Sequence, residues 1–272
     1  MPVITVTRGS LSASYKLTDR LAKELNCHAI SREEIMDHGK KYGIDEFMHA
    51  ARRMMEIKPP HAWDPHTAEI HHYLAIFKAA LMDFVVDGNI IYHGIQTHFL
   101  LVDVPRILRL KVVAPMEYRV KTLMMESSFT EEEAREHIMA VDVQRQSWAK
   151  FMYGPEFDEP TSYDMILNMS FLNLDAMAEV ISILVRRPEF RIDGGAIKKI
   201  RDAHLRSRVL ANLVKSPETR GMEVEVHCSS ETGEVRIRRL TPTALISDWK
   251  EAIERALAGE ELVKSLHIAD TI

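Results

Sequence analysis

The sequence predicts an α/β protein with a parallel sheet over residues 1–187, followed by a small α+β unit of order αββαβ over residues 188–272. Three observations carry this. Short apolar runs at residues 3–6, 27–30, 89–93, 107–113 and 163–168 alternate with helical stretches, most of them ten or more residues long. Strands joined by helices of that length form parallel sheets covered on both faces. The run at 3–6 passes to its helix through a loop of small residues, Gly9-Ser10-Leu11-Ser12-Ala13-Ser14. Beyond Arg186-Arg187-Pro188 the pattern changes to a long helix, an alternating hairpin, a short helix and a strand.

Each element has its own warrant. Leu17, Leu21, Ala22 and Leu25 fall on one face of a first helix, at the helical period. Ser31 and Glu34 form a capping box for a helix to about residue 41, which Gly43 ends. Asp45 starts another helix through Met54 and Met55. Prolines 59, 60 and 65 make the next stretch a loop, because proline cannot continue a helix. A long helix over residues 66–87 turns Ile70, Leu74, Phe77 and Leu81 inward and stops at Gly88. Helices follow over 116–126, over 130–152 with Thr130 and Glu133 as capping box, and over 174–185. In the last unit a helix over 195–215 precedes alternating strands 222–228 and 234–240, with a hairpin turn at 229–233. Ser247 or Asp248 caps a helix to residue 258, and residues 262–268 make the last strand.

Composition narrows the function. With 272 residues, 46% apolar and 28% charged, the chain is of ordinary globular type with room for two domains. A formal charge of -5 argues against a nucleic-acid partner held by charge alone. Cys27 and Cys228 are the two cysteines and stand in no metal or redox spacing, so both read as thiols of a reducing compartment. No apolar run is long enough to span a membrane. The chain opens directly on a strand, so the expectation is a cytoplasmic protein without a signal peptide.

Function in parallel sheets sits at the strand C-terminal ends. The first of those ends is the loop 8–14, before a helix N-terminus whose free N–H groups suit an anion. The loop departs from the common phosphate cradle G-x-x-x-x-G-K-[ST]. Counted from Gly9, the lysine position holds Tyr15, and Lys16 lies one place further. Two readings stay open. In one, Ser10, Ser12 and Ser14 hold an anion with charge from Arg8 or Lys16. In the other, the loop has lost its ligand and only packs.

Five segments in order resemble the cytidylate-kinase-like branch of the P-loop nucleoside monophosphate kinases. They are Ile4-Thr5-Val6-Thr7-Arg8; Gly94 after Ile90-Ile91-Tyr92-His93; Leu108-Arg109 with Val113-Ala114-Pro115-Met116-Glu117-Tyr118-Arg119; Asp142-Val143-Gln144-Arg145 with Lys150-Phe151 and Gly154; and Tyr163-Asp164-Met165-Ile166-Leu167-Asn168 with Ser170. The resemblance implies a three-layer kinase-like fold that binds nucleotide, with ATP and Mg²⁺ as cofactors if it is active. Lys16, Arg119 and Arg145 become the catalytic candidates. Arg8, Gly9, Ser10, Ser12, Ser14, Arg32, Gly94, Gln96, Asp142 and Lys150 become the phosphate- and nucleotide-binding ones. In this family the phosphate loop usually carries a Gly-Ser-Gly-Gly run, where this chain has Leu11-Ser12-Ala13-Ser14. An arginine often follows the second-strand glycine, where this chain has Ile95-Gln96-Thr97. The expectation is therefore a nucleotide-binding protein with a degenerate loop, regulatory or weakly active. The alternatives are an active kinase transferring phosphoryl from ATP to CMP or a related acceptor, and a non-catalytic interaction module.

The second unit resembles the BON module, which implies contact with a lipid surface through residues 188–272. Arg201, Arg206, Arg208, Arg236, Arg238 and Arg239 make it locally basic. The Met-rich helices or this unit would serve a homo-oligomer. His61, His66, His71 and His72 cluster in sequence, but a spacing of five does not stack ligands on one helix face, so no metal is expected.

Overall fold

The computed structural model describes residues 2–8, 14–53, 58–59, 66–94, 97–154, 158–240 and 248–269. The strands β1 (Val3–Arg8), β2 (His28–Ile30), β3 (Ile90–Gly94), β4 (Leu108–Val113) and β5 (Met165–Asn168) form one sheet in the order β2-β3-β1-β4-β5. Every pairing is parallel. Side chains alternate across a strand, and β1 divides accordingly. Ile4 and Val6 enter a core with Leu17 and Leu21 of α1 (Ser14–Leu25) and Met177 and Ile181 of α7 (Leu174–Leu184). Val3 enters the opposite core, with Ile70, Phe77 and Leu81 of α4 (His66–Asp87). These are the three layers of an α/β domain.

Between β2 and α4 lie α2 (Arg32–His38), two 3-10 segments (Gly39–Tyr42 and Ile44–Phe47) and α3 (Met48–Arg53). Ser31 caps α2 by accepting from the Glu34 amide, one half of the capping box that the sequence implies, while the Glu34 carboxylate lies 2.9 Å from His28 Nε2. The α-helix stops at His38 rather than residue 41, because the chain tightens into 3-10 turns before Gly43. There it takes φ 81°, a left-handed conformation that favours glycine. The helices α5 (Met116–Glu126) and α6 (Glu131–Tyr153) pair through their own small core of Val120, Leu123, Ala134 and Ile138. The capping box of α6 is formed: the Thr130 amide donates to Glu133 Oε2 at 2.8 Å and the Glu133 amide to Thr130 Oγ1 at 3.3 Å.

The last part runs α8 (Gly194–Lys215), β6 (Val224–Ser229), β7 (Glu234–Arg239), α9 (Trp249–Leu257) and β8 (Ser265–Ala269). Its sheet has the order β6-β7-β8, antiparallel then parallel, so the αββαβ order holds. The turn at 229–233 closes with the Gly233 amide on the Ser229 carbonyl, at φ 69°. Asp248 makes no capping bond, since at φ -112° and ψ 34° it lies outside the extended region a cap uses. Ser247 lies outside the described residues. β8 starts at Ser265 rather than residue 262, because residues 257–263 first close two turns, Glu260 amide to Leu257 carbonyl and Val263 amide to Glu260 carbonyl.

The helix α8 belongs to two cores. Leu205, Val209 and Leu213 pack with Val226, Val235, Ile237 and Trp249 of the small unit. Ile200, Ala203 and Ala211 pack with α4. As a result α4 is buried on more than the inner face that its pattern suggests: Ala79, Ala80 and Met82 are as inaccessible as Ile70 and Leu81.

Candidate functional site

The strand register brings the C-terminal ends of the large sheet to one edge. Thr7 stands beside Gly94 on one side and Lys111 on the other, and Val113 stands beside Asn168. The chain leaves β1 towards β2 and leaves β4 towards β5, in opposite directions across the sheet. The crevice at such a switch point is where parallel sheets bind ligands. The residues that would line it from β1 are Gly9, Ser10 and Ser12, which lie outside the described residues, as does Gln96 after β3. Arg8 ends β1, Ser14 opens α1 and Gly94 closes β3.

The helix α5 follows β4 directly and pairs with α6. Arg119 Nη2 reaches both carboxylate oxygens of Asp142 at 2.8 Å. The arginine side chain is only 11% exposed, so this pair is protected from water and differs from an ordinary surface ion pair. Beside the i,i+3 spacing of Asp142 and Arg145 on α6, the fold brings Asp142 to Arg119 across the two helices. Arg145 is half-buried on α6, and Lys150 is exposed near its end. Lys16 takes another direction. Its Nζ lies 3.9 Å from Glu126 Oε1, and Tyr15 donates to the same oxygen at 3.0 Å. The first turn of α1 thus meets the last residue of α5.

Arg32 opens α2 at the end of β2, with Nη2 3.4 Å from the Tyr73 hydroxyl on α4. It is packed against that tyrosine instead of lying free in solvent. Lys16, Arg32 and the Arg119–Asp142 pair therefore stand on three separate supports: α1, α2 and the α5–α6 pair.

Beneath the strand ends is a cluster that sequence reasoning missed. Thr7 Oγ1 and His98 Nδ1 are 3.4 Å apart, and the His98 ring meets the Tyr163 ring edge-on at 4.8 Å. All three residues are buried. His98 Nε2 has no hydrogen-bond partner among the described residues. Burial, reinforced by the charge of Arg109, lowers the His98 pKa to about 4. Burial pushes the Tyr163 hydroxyl up to about 12. The Lys111 ammonium lies 5.2 Å over the Tyr163 ring and 2.6 Å from Asp158. Arg109 grips Asp164 with two side-chain bonds of 3.1 and 2.8 Å and one backbone bond of 2.8 Å. The sequence signal available was a histidine just past a strand end, which by itself specifies nothing.

For a metal, His71 stacks on Phe151 and His72 meets Phe47 edge-on, so both rings are engaged with aromatic neighbours; His61 is outside the described residues. Among the described residues no group of three histidine, cysteine or carboxylate side chains converges as metal ligands. No helix among them is long and apolar enough to cross a membrane.

The fold is similar to a crystal structure of an uncharacterized protein from Eubacterium ventriosum, at 15% identity and TM-score 0.51, covering 68% of this chain and 97% of that one. Weaker likenesses are to the shikimate kinase of Bacteroides thetaiotaomicron, at 11% identity and TM-score 0.40 over 68% and 99% of the two chains, and to TT1252 from Thermus thermophilus, at 14% and 0.42 over 68% and 97%. No curated protein matches the chain. Residues 3–171 match the model of the cytidylate kinase-like family. That span holds the whole large sheet and the α5–α6 pair, and the chain belongs to the cytidylate kinase-like family.

Proposed function

We propose that the protein binds a nucleotide at the C-terminal edge of its large sheet and acts as a regulatory or weakly active member of its family. The observation that carries this reading is the Arg119–Asp142 pair, which holds a largely buried guanidinium between α6 and α5, the helix that follows β4. A helix pair with its own core and a fixed cation suits a phosphate chain. The degenerate sequence of the loop, with Tyr15 at the lysine position and Lys16 drawn to Glu126, supports slow or absent phosphoryl transfer. That chemistry needs a cation on the transferring group. ATP with Mg²⁺ is the cofactor set this reading carries; the residues that would cradle its phosphates are those of the loop and the first turn of α1.

Isothermal titration with ATP, ADP, CMP and AMP tests the proposal. Saturable binding is expected, and Arg119→Ala weakens ATP by about tenfold, the effect of losing one charge-assisted contact. Absence of any binding at millimolar nucleotide overturns it. Active transfer from ATP to CMP or a related acceptor is the second reading, favoured by the position of Lys16 in the first turn of α1. A coupled kinase assay decides between the two: turnover that Lys16→Ala abolishes supports transfer.

We further propose that the chain divides near residue 187 and that the αββαβ unit is a BON-like module. The outer face of its sheet supports a surface-binding role. His227, Arg236 and His267 stand in one cross-strand row, beside Arg238. Co-sedimentation with anionic vesicles is the check, and a protein that ignores them removes the lipid reading.

A further inference from the structure

The segment between β2 and α4 is tied to Asp83 of α4, and the C-terminal unit reaches it through that carboxylate and through two direct contacts. Asp83 on α4 has a side chain only 11% exposed. His38 Nε2 lies 3.0 Å from its Oδ2, Lys41 Nζ lies 2.8 Å from the same oxygen, and the Tyr42 hydroxyl donates at 2.9 Å. From the other side His204 Nε2 on α8 lies 2.6 Å from Oδ1. Further along, Arg220, after α8, reaches Glu46 at 2.8 Å, stands 4.9 Å over the Phe47 ring and is itself fixed to the Val214 carbonyl at 2.8 Å. The stem of Lys215 lies over Gly43, where an added side chain would meet it at 3.6 Å. Lys215 and Arg220 of the last unit thus meet residues 43–47 directly, and His204 reaches residues 38–42 through Asp83.

That segment is continuous with α2. His38 is the last residue of α2 and Arg32 the first. A helix of that length is a rigid rod of about 10 Å. Fixing His38 therefore fixes the direction of α2 and the placement of Arg32 at its first residue. We propose that the C-terminal unit is a positioning module: through α8 and Asp83 it sets the placement of α2, and so of Arg32, on the acceptor side of the nucleotide site. The part that concerns the acceptor rests on the nucleotide-binding reading above; the mechanical part does not. Asp83, Tyr42 and Arg220 are positioning residues here.

Two variants test it without gross loss of packing. His204→Met removes the C-terminal unit's donor to Asp83. Glu46→Arg sets two cations against each other, and adding Arg220→Glu restores an ion pair. Amide exchange is read at residues 31–35 and 39–47, and CMP and ATP affinities are titrated in parallel. Each single variant is expected to speed exchange in both stretches by about tenfold, and the charge-swapped double variant to return it most of the way. CMP affinity falls several-fold, while ATP affinity stays within about twofold. Loosening at 39–47 that leaves 31–35 unchanged overturns the proposal, and so does an equal fall in both affinities, which marks a merely structural role. Should the unaltered protein bind neither nucleotide, the nucleotide reading fails, while the exchange comparison still decides whether the C-terminal unit positions α2.

Discussion

Lowering the pH from 7.5 to 5 is expected to destabilise the protein by about 2 kcal/mol through His98 alone, on the linkage between pKa and folding. In the folded protein this imidazole titrates near 4, depressed by burial. In the unfolded chain it titrates near the ordinary histidine value, about 6.5. Below that value the unfolded state takes up a proton that the folded state refuses. The contribution is therefore complete above about pH 6.5 and is lost as the pH falls from there towards 4. Paired carboxylates act in the same direction but lower, because depressed carboxylates such as Asp103 and Asp164 release their share only as the pH drops through the ordinary carboxylate range. Urea unfolding at pH 7.5, 6.5, 5.5 and 5 measures the slope. His98→Phe keeps a ring against Tyr163 and removes the titrating group. It should flatten most of the slope, leaving the smaller part due to His72, which burial also lowers. An unchanged slope in His98→Phe would show that another group carries the acid sensitivity.

Asp83→Ala should be among the most destabilising single substitutions, at about 3 kcal/mol or more, the usual cost of breaking a buried charge cluster by removing one partner. Burial alone would raise the Asp83 pKa. Hydrogen bonds from His204, Lys41 and Tyr42 overcome that and hold the carboxylate ionised far below the usual range. Removing it leaves a lysine, two histidines and a buried tyrosine hydroxyl around an apolar stub. Asp83→Asn keeps the shape and two acceptor lone pairs but no charge, and should cost less. Denaturant midpoints of both variants are the measurement. A loss under about 1 kcal/mol for the alanine variant would place the cluster with solvated surface pairs.

Much of the fold is legible because local signals agree with it. The long helix α4 has the bounds its periodicity and Gly88 indicate, and the box Thr130 with Glu133 fixes the start of α6. The strand runs of the large sheet are found with their ends shifted by one or two residues. What sequence cannot display is a second partner. Ala79 and Ala80 read as indifferent helix residues, and only the approach of α8 from 120 residues away makes their smallness necessary. Spacing along one helix points only to neighbours on that helix, and does not show that the Asp142 carboxylate also meets Arg119 on the helix beside it. His98 finds Thr7 at a separation of 91 residues, and nothing local marks either. Asp83 is a lone carboxylate on a helix face until four donors from two other parts of the chain surround it. Pairings of this kind are set by topology, so periodicity and motif spacing leave them unmarked.

The double membership of α8 bears on how the chain acquires its shape during synthesis. A domain ordinarily folds as a unit as it leaves the ribosome. Here the outer side of α4 has no cover until Ile200, Ala203 and Ala211 have emerged. Between the completion of β5 and the arrival of α8, the nascent protein carries a finished sheet beside a helix with an uncovered alanine-rich flank and an ionised Asp83 missing its His204 partner. A released chain ending at residue 187 should therefore be more open to protease around α4 than the full chain. The family's sheet-and-helix unit shares part of its core, in this protein, with its own C-terminal segment.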